Sequence, residues 1–353
     1  MGAKASKADV ALAQGAYDGH LPTMQSALAE GADVNAAVRQ SSLQEPVVLP
    51  GTASTRHTPL VLAILRLQEA AVTLLLKAGA DVNARGDRSG WHPASAAMVS
   101  TPLSQADQET ALRILAALLD AGSDPSQTSP SRMTALHWAC SRMRPDCALA
   151  LLRHPRCPPG LEHMRDSGKS TALHAACFSQ RPAIVRELLQ RGADPCLRGS
   201  LGETPLLQAC NSGANPDIVW ALLQAGAGAV VDVPRKALPA SPAVTPLLAA
   251  CSHASAAAVT DLLQAGASLQ HPKVAGEVYE AVLRPASVRG LLGGHSPTSL
   301  DAKGQALGAL MQHGAPIPWA LLPDVFTTVM QARMAPFACA LLHATTLPGI
   351  GRQ

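Results

Sequence analysis

Two short phrases return along the chain at a nearly fixed spacing, and this recurrence constrains the fold more than any other feature. The first reads TPLVLAI from Thr58, HPASAAM from His92, TALHWAC from Thr134, TALHAAC from Thr171, TPLLQAC from Thr204 and TPLLAAC from Thr245. The second reads GADVNA from Gly31 and again from Gly79, GSDP from Gly122, GADP from Gly192, GAGA from Gly226, GASL from Gly266 and GAPI from Gly314. Thr58 to Asp81, Thr171 to Asp194 and Thr245 to Ser268 each span 23 residues, and Asp124 to Thr134 and Asp194 to Thr204 each span 10, which gives a 33-residue period. A unit of this size cannot bury its own apolar face, so neighbours must stack to build a core.

The physics of one unit follows from its residues. Thr opens a helix as a cap, and Pro fits the first helical position. Small residues follow, as in Ala175, Ala176 and Cys177, and let neighbouring helices approach closely. A second helix comes next, as over 182–190, with Ile184, Val185, Leu188 and Leu189 on one face. Gly192 ends it, because a glycine after the last turn accepts left-handed geometry. The stretch ADPCLRGSLGET is turn-rich and is expected to form a projecting β-turn.

These phrases resemble the ankyrin repeat, whose fingerprint includes T-P-L-H-x-A at a period of about 33 residues. The resemblance runs from about Asp9 to about Pro318. It implies an all-α ankyrin-repeat solenoid of helix-turn-helix units with projecting β-turns. About eight units would occupy residues 10–318, after a flexible segment over 1–9 and before a helical C-terminal cap and tail over 319–353.

Departures from the pattern carry their own expectations. The first unit, Val10 to Ala36, lacks T-P-L-H, as a terminal cap with a wetter outer face would. Insertions fall near 37–57, 99–110, 229–244 and 284–303, and are expected to project as loops. Cys157 stands where the fourth unit would carry its Asp. After Gly314 two helices are expected to close the stack.

Composition narrows the function classes. Apolar residues make up 47% but aromatics only 3%, which suits thin layers of packed helices rather than one thick core. The formal charge is only +3, and no basic stripe of a nucleic-acid binder is evident. No apolar signal region follows the first residues, and no run of 18 or more apolar residues occurs. The eight cysteines are scattered, so the expectation is a reducing compartment, the cytoplasm.

The candidate chemistry is thin. Asp166 to Thr171 reads DSGKST, like the end of a phosphate-binding loop, but the earlier glycine such a loop needs is His163. The same residues fit the ankyrin turn D-x-x-G-x-T, with Lys169 at its glycine position. His137 with Cys140, and His174 with Cys177, read H-x-x-C, yet the pairs lie on equivalent helices of adjacent units. Packed helices sit about 8–10 Å apart, too far for ligands that must lie about 2.0–2.3 Å from one zinc ion. Cys210 and Cys251 share the repeat position of Cys140 and Cys177, so these four are read as small residues in one buried slot. No catalytic constellation is assignable, and neither an enzyme nor a cofactor nor a metal site is expected.

The expected role is non-catalytic: a scaffold or adaptor that binds a protein partner, as a monomer and without nucleic acid. The resemblance implies that the position after the motif His faces a concave groove. Here that position is Leu62, Ala96, Trp138, Ala175, Gln208 and Ala249. Trp138 stands among small neighbours as a hot-spot candidate, or else packs over the neighbouring unit's first helix. The turn tips add Arg85, Asp87, Arg88, Arg165, Lys169, Arg198 and Glu203. MGAKAS fits the N-myristoylation pattern with Gly2 as acceptor, which would give peripheral membrane contact. An alternative role is a substrate-recruiting subunit of a ubiquitin ligase, acting through the segment after Gly314.

Overall fold

Helix pairs recur wherever the two phrases do. The structure, a computed structural model, describes residues 5–39, 42–43, 56–86, 91–99, 104–141, 144–234, 244–269, 272–283, 300–315, 317, 319–332 and 334. The chain divides into two compact units, Met1–Ala175 and Ala176–Gln353.

The first unit holds four pairs: α1 (Lys7–Asp18) with α2 (Leu21–Ala29), α3 (Pro59–Leu65) with α4 (Glu69–Lys77), α5 (Pro93–Val99) with α6 (Gln105–Asp120), and α7 (Ala135–Ser141) with α8 (Pro145–Arg153). Leading helices pack on leading helices, α1 on α3, α3 on α5 and α5 on α7, and the trailing helices follow the same order. The boundary between units falls within α9 (Ala172–Phe178). The second unit continues with α10 (Pro182–Gln190), α11 (Pro205–Asn211), α12 (Pro216–Gln224), α13 (Pro246–Ser252), α14 (Ala256–Gln264), α15 (Pro272–Leu283), α16 (Leu300–Gln312) and α17 (Leu322–Gln331). There α11 packs on α13, α13 on α15, and α10, α12, α14 and α16 follow one another.

Local chemistry explains the boundaries. The hydroxyls of Thr58, Thr204 and Thr245 accept the N–H of Val61, Leu207 and Leu248 at 3.4, 3.2 and 3.3 Å, with proline at the first helical position each time. Such a cap is worth about 1 kcal/mol. The glycine opening the second phrase has left-handed backbone in all seven copies, with φ from 73° at Gly314 to 100° at Gly226. That geometry ends the trailing helix and turns the chain outward.

Successive turns are tied by side-chain bonds to backbone. Asn35 and Asn83 accept the N–H of Asp81 and Asp124 at 2.8 Å each in the first unit, while Asp9, on α1, accepts the N–H of Asp33 in its own repeat at 2.9 Å. In the second unit, Asp232 accepts the N–H of Ser268 at 2.9 Å. The slot shared by Cys140, Cys177, Cys210 and Cys251 is fully buried at all four positions.

Within the described residues, three of the insertions contribute packed structure. The one near 37–57 sends in β1 (Val38–Arg39) and β2 (Arg56–His57), an antiparallel pair. Its Val38 and Leu43 are buried against Ala13, Tyr17 and Leu62, because this end of the stack otherwise leaves apolar surface open. From the one near 99–110, residues 104–110 lengthen α6, which Ser104 and Asp107 close with a reciprocal capping box. After Gly228, Val230 and Val231 are buried around a short 3₁₀ turn, Ala227–Val230. Residues 284–299 and 335–353 lie outside the described residues, and with them the second closing helix.

Candidate protein-binding surface

Trp138 sits on α7, half-buried, and its ring meets that of Trp91 edge-on, with centroids 5.1 Å apart and planes at 70°. Trp91 stands just before His92, the residue before α5. Such pairs add about 0.5–1.5 kcal/mol beyond their buried area. Trp138 thus packs over the start of the neighbouring leading helix and still keeps part of its ring at the surface. Trp91 was not among the residues picked out from the sequence. The signal was available: it precedes the cap position of the one copy, HPASAAM, that lacks the threonine.

Under Trp138 lies a polar network. Thr134 donates its backbone N–H to Nδ1 of His137 at 3.3 Å, and its hydroxyl lies 2.8 Å from the same nitrogen. The His137 N–H donates to that hydroxyl at 3.4 Å, so the hydroxyl proton points at the ring. Nε2 is 3.2 Å from the carbonyl of Ser170, on the next turn. These partners are satisfied together by a neutral imidazole with its proton on Nε2. Burial holds His137 below the ordinary imidazole range, against the opposing pull of the Ser170 carbonyl. His92 is also held low by burial, and by Arg85, while its Nδ1 lies 3.3 Å from the Asn83 carbonyl.

The groove expectation fails at three positions. Leu62 is 1% exposed, and Ala96 and Ala249 are fully buried, so none can touch a partner in this structure. The reason is that α3, α5 and α13 are buried along all seven residues. Small side chains draw the neighbouring helices over α5 and α13, and the hairpin side chains Val38 and Leu43 cover Leu62. Trp138, Ala175 and Gln208 are half-buried and keep surface.

Among the turn residues, Arg85, Lys169 and Arg198 are exposed, while Arg165 and Glu203 are half-buried. Arg85 donates from Nη1 to the Thr128 carbonyl at 3.4 Å and so bridges two turns. Gly2, Asp87 and Arg88 lie outside the described residues. The DSGKST segment is a repeat turn: Asp166 accepts the Ser170 N–H at 2.8 Å and donates its own N–H to the Ser170 carbonyl at 3.0 Å.

Among the described residues, no group of three or more His, Cys, Asp or Glu side chains is placed to hold a metal. No described helix is long and apolar enough to cross a membrane. Burial raises the Cys140 thiol to about 12 and the Cys147 thiol to about 11, which leaves both as unreactive neutral thiols.

Comparison with known proteins places these features. A family described as "Ankyrin repeats (3 copies)" matches residues 103–199, and one described as "Ankyrin repeat" matches residues 55–87. No curated protein matches significantly. The human ASB11 ankyrin repeat domain is 22% identical, with a TM-score of 0.48, over 73% of this chain and 98% of that one. A chain from the complex of the Bdellovibrio bacteriovorus predatory endopeptidase Bd0816 with immunity protein Bd3460 is 21% identical, with a TM-score of 0.47, over 63% of this chain and 99% of that one. The helix pairs, left-handed glycine turns and matched segments together establish that this chain carries ankyrin repeats and folds as an all-α ankyrin solenoid.

Proposed function

We propose that the chain is a non-catalytic protein-interaction scaffold that engages its partner through Trp138 and the neighbouring turns of the first unit. The observation that carries this reading is the partly exposed Trp138 ring, held in a fixed pose by Trp91. An aromatic already fixed by its neighbour loses little entropy on docking, and aromatic anchors dominate interface energies. The buried cysteines and neutral histidines serve packing and capping in this reading, so no chemistry is assigned to them.

The test is affinity capture with mass spectrometry, comparing the native chain with Trp138→Ala. Specific partners that fall at least about tenfold on Trp138→Ala are the expected result. Unchanged recovery from a folded variant sinks Trp138 as the anchor.

Two finer readings extend the proposal. The MGAKAS start supports a myristoyl group on Gly2, and a peripheral membrane association that Gly2→Ala abolishes. One such chain anchors only marginally, so the effect is expected as a shift between membrane and soluble fractions of a cytoplasmic protein. In the alternative role, as a substrate-recruiting ubiquitin-ligase subunit, ligase components would be captured with the native chain. Their absence from that capture removes it.

A further inference from the structure

A cavity of about 570 Å³ opens between two successive turns of the first unit. One wall carries Ser126, Thr128 and Arg132; the other carries His163 and Arg165. No carboxylate is among its described lining residues. The acids nearby are engaged in local caps. Asp124 accepts the Ser126 N–H at 2.9 Å, the Ser126 hydroxyl at 2.6 Å and the Gln127 amide at 3.1 Å. Asp166 accepts the Ser170 N–H, and Glu162 accepts the Gly160 N–H at 3.2 Å while lying 3.7 Å from His163. The opening is therefore faced by guanidinium groups, an imidazole and hydroxyls, with Arg85 and Lys169 exposed on the flanking turns.

Two of these cations stand at a position that resists them. Arg132 and Lys169 are each two residues before the cap threonine, with φ of 59° and 60°. Left-handed backbone disfavours any side chain there by roughly 1–2 kcal/mol. The equivalent residue before Thr204 is Gly202, with φ of 79°. A strained site that carries a cation in two successive copies, where glycine would fit without strain, points to a use for the charge.

We infer that this cavity and its flanking cations take the carboxylate side chains of an extended acidic segment of the partner protein. The inference rests on the scaffold reading above and supplies the partner's chemistry. Stacked units repeat every 8–10 Å or so, the spacing of packed helices. An extended chain of the polyproline II type rises about 3.1 Å per residue and turns once every three residues, so acids at every third residue share one face and match the turns. Carboxylates between guanidiniums gain paired, charge-assisted hydrogen bonds.

The experiment titrates the full chain with a fluorescein-labelled peptide bearing Glu at every third position among Ser and Ala. A control peptide has the same composition with its Glu residues clustered at one end. The variant is Arg132→Gly with Lys169→Gly, which removes two charges while relieving the backbone, so folding is retained. The expected results are binding of the spaced peptide that weakens with added salt, loss of about tenfold or more in the variant, and weaker binding of the clustered control. Equal binding of both peptides, no binding, or no loss in the variant overturns the inference. Displacement of the peptide by inorganic phosphate at matched ionic strength also overturns it, by assigning the cavity to small anions. Partner capture that depends on Trp138 while the spaced peptide fails to bind sinks this inference alone and leaves the scaffold reading standing.

Discussion

Thr134 in the first unit and Thr204 in the second hold the same place in the repeat, and what surrounds them differs. Three residues after Thr134 stands His137, which ties the cap to the carbonyl of Ser170 on the next turn. Three residues after Thr204 stands Leu207, fully buried, and the threonine closes only its own helix. Two residues before these caps the first unit carries Arg132 and the second Gly202, both left-handed. The apolar frame is the same in both units. At these two positions the first unit carries an imidazole and a cation, where the second carries leucine and glycine. Sensitivity to pH at these caps and affinity for an acidic partner therefore belong to the first unit.

The largest expected effects test the shared part of that comparison. Leu115→Ala on α6 and Leu222→Ala on α12 each empty a fully buried site and are expected to cost about 2–5 kcal/mol. Urea unfolding followed by hydrogen exchange within each unit measures this. A near-zero cost at Leu222 breaks the claim that the two cores are alike.

Next comes the difference itself. His137→Leu gives the first unit the second unit's residue. Near neutral pH it is expected to cost about 1–3 kcal/mol, because the buried Thr134 N–H loses its acceptor and the Ser170 carbonyl keeps only the Asp166 N–H. Its pH signature is sharper. Burial holds His137 and His92 below 6.5 in the folded chain, so below that pH the unfolded chain binds more protons. Their contribution is complete above 6.5 and is lost as pH falls from 6.5 towards the folded values. Asp9 and Asp124 add a further loss below 3.8. Burial raises both, but hydrogen bonds from Ser6 and Asp33, and from Ser126 and Gln127, outweigh it. The stability of His137→Leu is expected to depend less on pH just below 6.5 than that of the native chain. An unchanged slope contradicts the neutral network.

Smaller effects follow at the caps. Thr204→Ala is expected to cost about 1 kcal/mol by chemical unfolding, and Thr134→Ala more, because it also strips the hydroxyl from His137. Equal costs would make the histidine arm inert. Arg132→Gly alone is expected to stabilise the chain by about 0.5 kcal/mol, as relieved left-handed strain slightly exceeds the added backbone freedom. A destabilising result would mean that Arg132 supports the turn itself.

The period was legible because caps and turns are local: Thr, Pro and Gly act through a few neighbouring residues. The four-cysteine slot was legible for the same reason, as one repeat position seen four times. Burial of Val38 and Leu43 was not, because it depends on Tyr17 and Leu62, which lie far along the chain. Leu62, Ala96 and Ala249 share a register with Trp138, yet the helices and hairpin packed over them decide exposure, and no single copy records that. Trp91 went unnoticed because its copy replaces the cap threonine with His92.

The most direct test is hydrogen–deuterium exchange of the full chain with and without its captured protein partner. Slowed exchange over 126–138 and 163–170 of the first unit, with 194–203 of the second unchanged, is the predicted footprint. Protection confined to the second unit, or to its trailing helices, would contradict a binding surface built on Trp138 and the cationic turns.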